Sequence, residues 1–263
     1  MIVSVNSIAR LTFVCFAAAL ATGKVFAADN QPVLGVSGKL LFEDDFSRAD
    51  VQPKWKPGLG FWSIRDGVLA VEENPDNHHG AYAYATPGFG YKDMVAEFAF
   101  KLDGSKSCDL KMEDSNYKGA HAGHIIRASI TPTQVFLGDS KYGSMEIGFY
   151  AKYNDPKATP EEKKALAATI KDKSASFKNT LDVAQWHQAR VEVVGDEMVI
   201  SIDGKLVGYL KSAGVDHPTK NLIGFTITGK TTLIDNVKVW EAAAAPGWQA
   251  RRAEVLGTLG IKP

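Results

Sequence analysis

Between residues 107 and 141 the chain gathers side chains that can hold hydroxyl groups and move protons: Asp109, Lys111, Glu113, Asp114, His121, His124, Arg127, Asp139 and Lys141. Alternation along a strand decides which of them meet. In Cys108-Asp-Leu-Lys-Met-Glu113 the apolar residues point one way, so Asp109, Lys111 and Glu113 share the other face. In His124-Ile-Ile-Arg-Ala-Ser129, Arg127 and Ser129 lie opposite His124. His124 therefore joins Arg127 in one site only where a bulge or the strand entry turns it round. Carboxylates, imidazoles and a guanidinium on one face suit vicinal hydroxyls such as a sugar's, which need donors and acceptors together. The same mixture supports general acid/base catalysis. It also fits a solvated sheet face with no ligand at all, and the residues alone leave the three readings open.

The ligand-binding candidates are Asp109, His121, His124, Arg127 and Lys141, with His79 as a neighbour at the strand entry after His78. Arg127 stands between Ile126 and Ala128, so its charge must face water or a partner. His121-Ala-Gly-His124 also has the look of a metal pair. Zinc needs three or four ligands, so a third would have to come from His79 or Asp109. His187 and His217 read as structural, at a strand start and in a His-Pro turn.

Short alternating segments must position these groups. Candidate strands fall at 40–46, 61–71 as a hairpin, 79–84, 94–102, 107–113, 123–130, 134–138 and 145–151. Others follow at 187–194, 197–203, 205–210, 222–228 and 232–240. Asp66-Gly67 and Asp203-Gly204 supply tight hairpin turns. Strands at this spacing indicate an antiparallel sandwich or barrel. One segment differs. Thr159-Pro-Glu-Glu opens a helix over 159–171, with a Thr cap, Pro in the first turn and acids near the N-terminus. It reads as a single inserted surface helix. Residues 28–39 read as a lead-in, 242–246 as a linker, and 248–261 as a short helix packed back through Trp248, Val255 and Leu259.

Thirty Lys and Arg offset thirty Asp and Glu. No basic stripe with interleaved aromatics is present, so no nucleic-acid partner is expected. Arg10, the apolar run 11–23 and Val25-Phe-Ala27 form a secretory signal peptide over 1–27. The run is too short for a membrane span. A mature chain starting at Ala28 is therefore expected to be secreted or periplasmic, with no transmembrane segment. It keeps one cysteine, Cys108, which cannot form an internal disulfide and reads as a small buried hydrophobe.

Three motifs carry a resemblance over about 40–241. They are Leu41-Phe-Glu-Asp-Asp-Phe-Ser47, Trp62-Ser-Ile-Arg-Asp-Gly-Val-Leu69, and the closing strands through Ile234-Asp-Asn-Val237. The chain resembles the concanavalin A-like lectin and glucanase superfamily. It is most similar to secreted bacterial 3-keto-disaccharide hydrolase-type domains, and more distantly to family 16 glucanases. The resemblance implies one all-β jelly roll, a concanavalin A-like antiparallel β-sandwich, over 40–241. It implies a carbohydrate or glycan ligand. No cofactor is required, though related sandwiches hold a structural calcium, here at Asp44, Asp45 and Asp235 on the first and last strands. The Glu-x-Asp-x-x-Glu motif of retaining family 16 glucanases is absent, so their paired-Glu chemistry is not expected. The first expectation is a domain that binds glycans. The alternatives are a hydrolase of the 3-keto-disaccharide type and a non-catalytic interaction module of the cell envelope.

Overall fold

A computed structural model describes residues 31–261 except His78; the expected signal peptide lies outside the described residues. Two antiparallel sheets face each other. The first contains β1 (Gly35–Asp44), β3 (Phe61–Arg65), β4 (Val68–Glu72), β6 (Met94–Lys101), β11 (His187–Val194), β12 (Glu197–Ile202), β13 (Lys205–Lys211) and β15 (Thr232–Ala244). Its order is β13-β12-β11-β6-β15-β4-β3, with β1 also paired to β15. The second contains β2 (Trp55–Leu59), β5 (Ala81–Ala85), β7 (Ser105–Glu113), β8 (His124–Ile130), β9 (Gln134–Asp139), β10 (Ser174–Lys178) and β14 (Leu222–Gly229). Its order is β10-β9-β8-β7-β14-β5-β2.

The core lies between the sheets, where the period of two places the apolar residues. Met94, Ala96, Phe98 and Phe100 of β6 face Cys108, Leu110 and Met112 of β7 and Ile223, Phe225 and Ile227 of β14. Phe98 meets Phe225 edge to face, 5.0 Å between ring centres. Each such ring contributes about 1.5–3 kcal/mol through burial. Cys108 is a free, buried thiol, and burial pushes its pKa up, as expected of an inert core residue.

The outer face of the first sheet is covered at its β11–β13 end. Residues 33–35 and the helix α3 (Trp248–Gly257) cover it, with Leu34, Trp248 and Leu256 packed on Val199 and Tyr209. Glu197 accepts hydrogen bonds there from Tyr209 (2.5 Å), Trp248 (2.9 Å) and Arg252 (2.6 Å).

Several local expectations change. Residues 145–151, read as a strand, hold most of helix α1 (Ile147–Tyr153). Glu146 caps it by accepting from the Phe149 N–H at 2.6 Å, and Phe149 stacks on Tyr153 one turn later. Helix α2 (Pro160–Ala168) follows, with the expected Thr159 cap completed by Glu162 as a capping box. The insertion thus carries two helices rather than one. Strands β2 and β10 lack long alternating runs in the sequence and are additions. β1 starts within the expected lead-in, and β15 runs on through the expected linker to Ala244.

Candidate functional site

The outer face of the second sheet is built from β5, β14, β7, β8 and β9. Because Cys108, Leu110 and Met112 fill the core, Asp109, Lys111 and Glu113 turn outward. Asp109 stands between Ser129 and Thr226, and Lys111 between Arg127 and Gly224. The β7–β8 register then slips: Met112 pairs with Ile126, but Glu113 pairs with His124. Ile125 is the extra residue, buried in the core together with Ile126. Ser140 and Lys141 hold the bulge by donating their N–H groups to the Ile125 carbonyl, at 2.8 and 2.9 Å. This is the turn His124 needs to share a face with Arg127.

Glu113 is the centre of the site. Its side chain is 2 % exposed, and its Oε1 lies 2.5 Å from His124 Nδ1 and 3.3 Å from Lys111 Nζ. Both contacts reach the same buried oxygen, so Oε1 is engaged within the chain by the imidazole and the ammonium. Burial raises the pKa of Glu113, but His124, Lys111 and Tyr84 outweigh it and hold the carboxyl below its ordinary value. Tyr84 responds in the opposite sense: burial and the Glu113 charge push its phenol up. The Lys111 ammonium lies over the rings of Tyr82 and Tyr84, at 5.4 and 5.3 Å. Gly224 keeps this floor level; a Cβ there would stand 2.3 Å from the Ala83 carbonyl and 2.7 Å from the Tyr84 ring.

The far end of the β7 row is organised differently. Asp109 accepts a 2.5 Å hydrogen bond from Ser129 and lies 3.9 Å from the Arg127 guanidinium. Burial dominates here and raises its pKa against Ser129, Arg127 and Lys111. Arg127 lies over Phe136 at 4.9 Å, its side chain 37 % exposed. Beside it is a hollow of about 120 Å³, walled by Phe136, Gly138, Ile170 and Lys173. Opposite Asp109 on β14, Thr226 Oγ1 is buried without a hydrogen-bond partner.

Of the expected site residues, Asp109, His124 and Arg127 share this face. His121 adjoins it, its ring 6.3 Å from that of His124. His79 flanks the edge, 5.8 Å from the Tyr82 ring, and is exposed. Lys141 sits elsewhere. Its ammonium lies over Tyr117 and Tyr142, because the chain turns inward at Asp139, whose carboxylate accepts from Ser212 and Gly214. Tyr82, Tyr84 and Thr226 were not among the expected residues. The signal for the tyrosines is Ala81-Tyr-Ala-Tyr-Ala85, where alanines take the core and the large rings are left outside.

The residues expected to hold calcium make hydrogen bonds within the chain. Asp44 is consumed by a two-pronged Arg48 pair, Trp55 Nε1 at 2.8 Å and the Phe46 N–H at 3.1 Å. Asp45 caps Ser47, and Asp235 accepts the Asn236 N–H at 2.7 Å. Among the described residues no three His, Cys, Asp or Glu side chains gather as metal ligands, and this includes the His121–His124 pair.

Comparisons with known proteins agree with this architecture. The laminarinase from Rhodothermus marinus is 12 % identical with a TM-score of 0.55, over 80 % of this chain and 99 % of that one. A non-specific endo-beta-1,3(4)-glucanase of family GH16 is 12 % identical with a TM-score of 0.52, over 79 % and 95 %. The laminarinase from Flavobacterium sp. UMI-01 is 13 % identical with a TM-score of 0.51, over 77 % and 100 %. At these identities the likeness establishes the fold. Among curated proteins none matches in sequence. A family profile described as a 3-keto-alpha-glucoside-1,2-lyase-like domain matches residues 40–240, nearly the whole sandwich. The chain therefore belongs to the family of 3-keto-alpha-glucoside-1,2-lyase-like domains and is a carbohydrate-related β-sandwich.

Proposed function

We propose that the outer face of the second sheet binds a sugar, and that its His124–Glu113 pair removes a proton from a 3-keto-α-glucoside. The observation that carries this is the buried carboxylate 2.5 Å from His124 Nδ1. A carboxylate there orients the imidazole, keeps its proton on Nδ1 and leaves Nε2 to act as a base; it then stabilises the imidazolium that forms. A ketone at C3 acidifies the C2 hydrogen. Losing that proton builds an enolate, and the enolate expels the substituent on C1. Lys111 and Arg127 are cations near the developing negative charge. Tyr82 and Tyr84 offer ring surface to the sugar, and Asp109 and Ser129 offer partners for its hydroxyls.

Export to the periplasm or the cell exterior belongs to the same proposal. It rests on the leader-like residues 1–27; among the described residues no helix is long and apolar enough to cross a membrane. A second reading, a glycan-binding domain without turnover, is favoured by the aromatic rings of Tyr82, Tyr84 and Phe136 along the face. One assay separates the two. The chain is given a 3-keto-α-glucoside and its unoxidised parent, and the conjugated enone and the released alcohol are followed. Turnover of the keto sugar alone is expected, and it should be lost in Glu113→Gln. Binding of both sugars with turnover of neither would establish the second reading instead.

A further inference from the structure

We propose that His121 is a second catalytic residue, the acid that protonates the leaving oxygen, and that Tyr150 of the insertion holds it there. The assignment rests on the elimination reading above. An elimination across C1 and C2 needs a base at the C2 hydrogen and an acid at the C1 oxygen. The two atoms lie on adjacent carbons, and each catalytic group must come within about 3 Å of its own atom. Acid and base must therefore stand about one ring width apart. The His121 and His124 ring centres are 6.3 Å apart, with 35° between their planes.

The other candidates on the face fit the role poorly. Asp109 is four residues along β7 from Glu113, roughly 13 Å at ~3.3 Å per residue. Its carboxylate is also engaged with Ser129. Lys111 is held against Glu113 at 3.3 Å. Tyr84 is a weaker acid than an ordinary phenol, because burial and Glu113 both hold its proton on.

His121 is also fixed in place. Its ring stacks face to face on Tyr150, 3.8 Å between centres and 7° between planes. Its N–H donates to the Met145 carbonyl at 2.7 Å, and the Ile147 N–H donates to the Gly119 carbonyl at 3.1 Å. The backbone between the two histidines reverses through positive φ at Ala122 (52°) and Gly123 (74°). Gly123 is required there, since a Cβ would stand 2.2 Å from the Asp114 carbonyl oxygen. The tight turn brings the second imidazole back beside the first.

The proton and electron balance closes without another reagent. His124 Nε2 takes the C2 proton, and the C–H pair becomes the C1=C2 double bond by way of the enolate. The C1–O bond breaks with its electron pair going to the departing oxygen. Protonated His121 donates to that oxygen, and the alcohol leaves. The two imidazoles then return to their starting states by exchange with solvent.

Leaving groups of different basicity test the role. A methyl 3-keto-α-glucoside must expel an alkoxide and needs the acid; a 4-nitrophenyl 3-keto-α-glucoside expels a stable phenolate and does not. His121→Phe keeps an aromatic ring on Tyr150. It is expected to slow the methyl substrate by about 100-fold or more and the nitrophenyl substrate by less than about 10-fold. Tyr150→Phe should leave both rates near wild type, while Tyr150→Ala should slow only the methyl substrate. Should H121F not fold, as judged by its melting curve, H121N carries the same comparison. Equal losses on both substrates, or none, overturn the role of His121 and leave the elimination reading standing. No turnover of either substrate by the wild-type chain overturns that reading and the acid role with it.

Discussion

Glu113 and Glu192 are the same residue in nearly the same setting, yet the fold treats them in opposite ways. Each sits on the outer face of its sheet, each is almost wholly buried, and each lies beside a cation. Glu192 is satisfied by its own chain. Its Oε2 accepts the N–H groups of Val33, Leu34 and Gly35 at 3.1, 2.6 and 2.7 Å, and Arg190 Nε donates to Oε1 at 2.6 Å. Arg190 is in turn paired with Glu97 and bonded to the Gly35 carbonyl. Glu113 is met instead by side chains of the candidate site, His124 and Lys111. A buried charge is tolerated when paired and hydrogen-bonded, and an incomplete shell is costly. Glu192 staples residues 33–35 to the sandwich. Glu113 instead holds two groups of the candidate site, His124 and Lys111.

Charge removal separates the two most sharply. In Glu192→Gln the amide N–H₂ meets backbone donors, and Arg190 loses its buried partner. Breaking a buried pair costs about 3–5 kcal/mol, which at this chain length lowers the melting temperature by about 10 °C. Activity per folded molecule should not change. In Glu113→Gln the expected order reverses: turnover falls by about 100- to 10,000-fold, with a much smaller change in melting. Thermal melts and single-turnover rates on both variants check the pair. Equal destabilisation by both would make Glu113 structural.

The arginines give the next largest contrast. Arg127→Met should weaken sugar affinity by about 10-fold, the size of one hydrogen bond to a charged donor, and leave melting nearly unchanged. Arg190→Met should melt early, because Glu192 and Glu97 both lose their cation. If Arg127→Met instead unfolds the chain while affinity per folded molecule is untouched, Arg127 is a salt-bridge partner and not part of the site.

A buried cation on neither face supplies a pH test. Lys220 is fully buried, donates to the Val215 and His217 carbonyls, and burial lowers its pKa from 10.5 to about 8. The unfolded chain then keeps this proton to higher pH than the folded one. Where the unfolded state binds more protons, stability rises with pH. From about pH 8 towards 9, wild type should gain stability relative to Lys220→Met, in equilibrium urea melts at each pH.

The sandwich was legible because its strands alternate cleanly. Met94 to Leu102 and Met198 to Val207 declare both their faces in the residues themselves. The site was half legible for the same reason. Asp109 and Glu113 could be placed on one face of β7, but the position of His124 depended on a bulge that no residue type announces. Lys141 was misplaced because its direction is set by Asp139 and Ser212, 73 positions apart in the chain. Segment 145–151 alternates like a strand, and only the Glu146 cap and the Phe149–Tyr153 spacing mark it as a helix. The N-terminal seal over the first sheet was invisible, since it depends on backbone N–H groups meeting Glu192.

The smallest expected effect is the finest test of the contrast between bonded and unbonded buried polar groups. Thr226 and Thr232 lie on adjacent strands in sequence, one in each sheet. Thr232 is fully buried and donates to Ser105 Oγ at 2.7 Å. Thr226 has a buried hydroxyl with no partner. Valine has nearly the shape of threonine, so each substitution removes little more than the hydroxyl. In Thr232→Val the Ser105 hydroxyl is stranded, and stability should fall by about 1–3 kcal/mol. In Thr226→Val an unsatisfied group disappears, so stability should hold or rise by up to about 1 kcal/mol. Sugar affinity should hold in calorimetry, because the buried hydroxyl does not reach the surface. A Thr226→Val chain that is clearly less stable would mean that its hydroxyl is bonded within the fold.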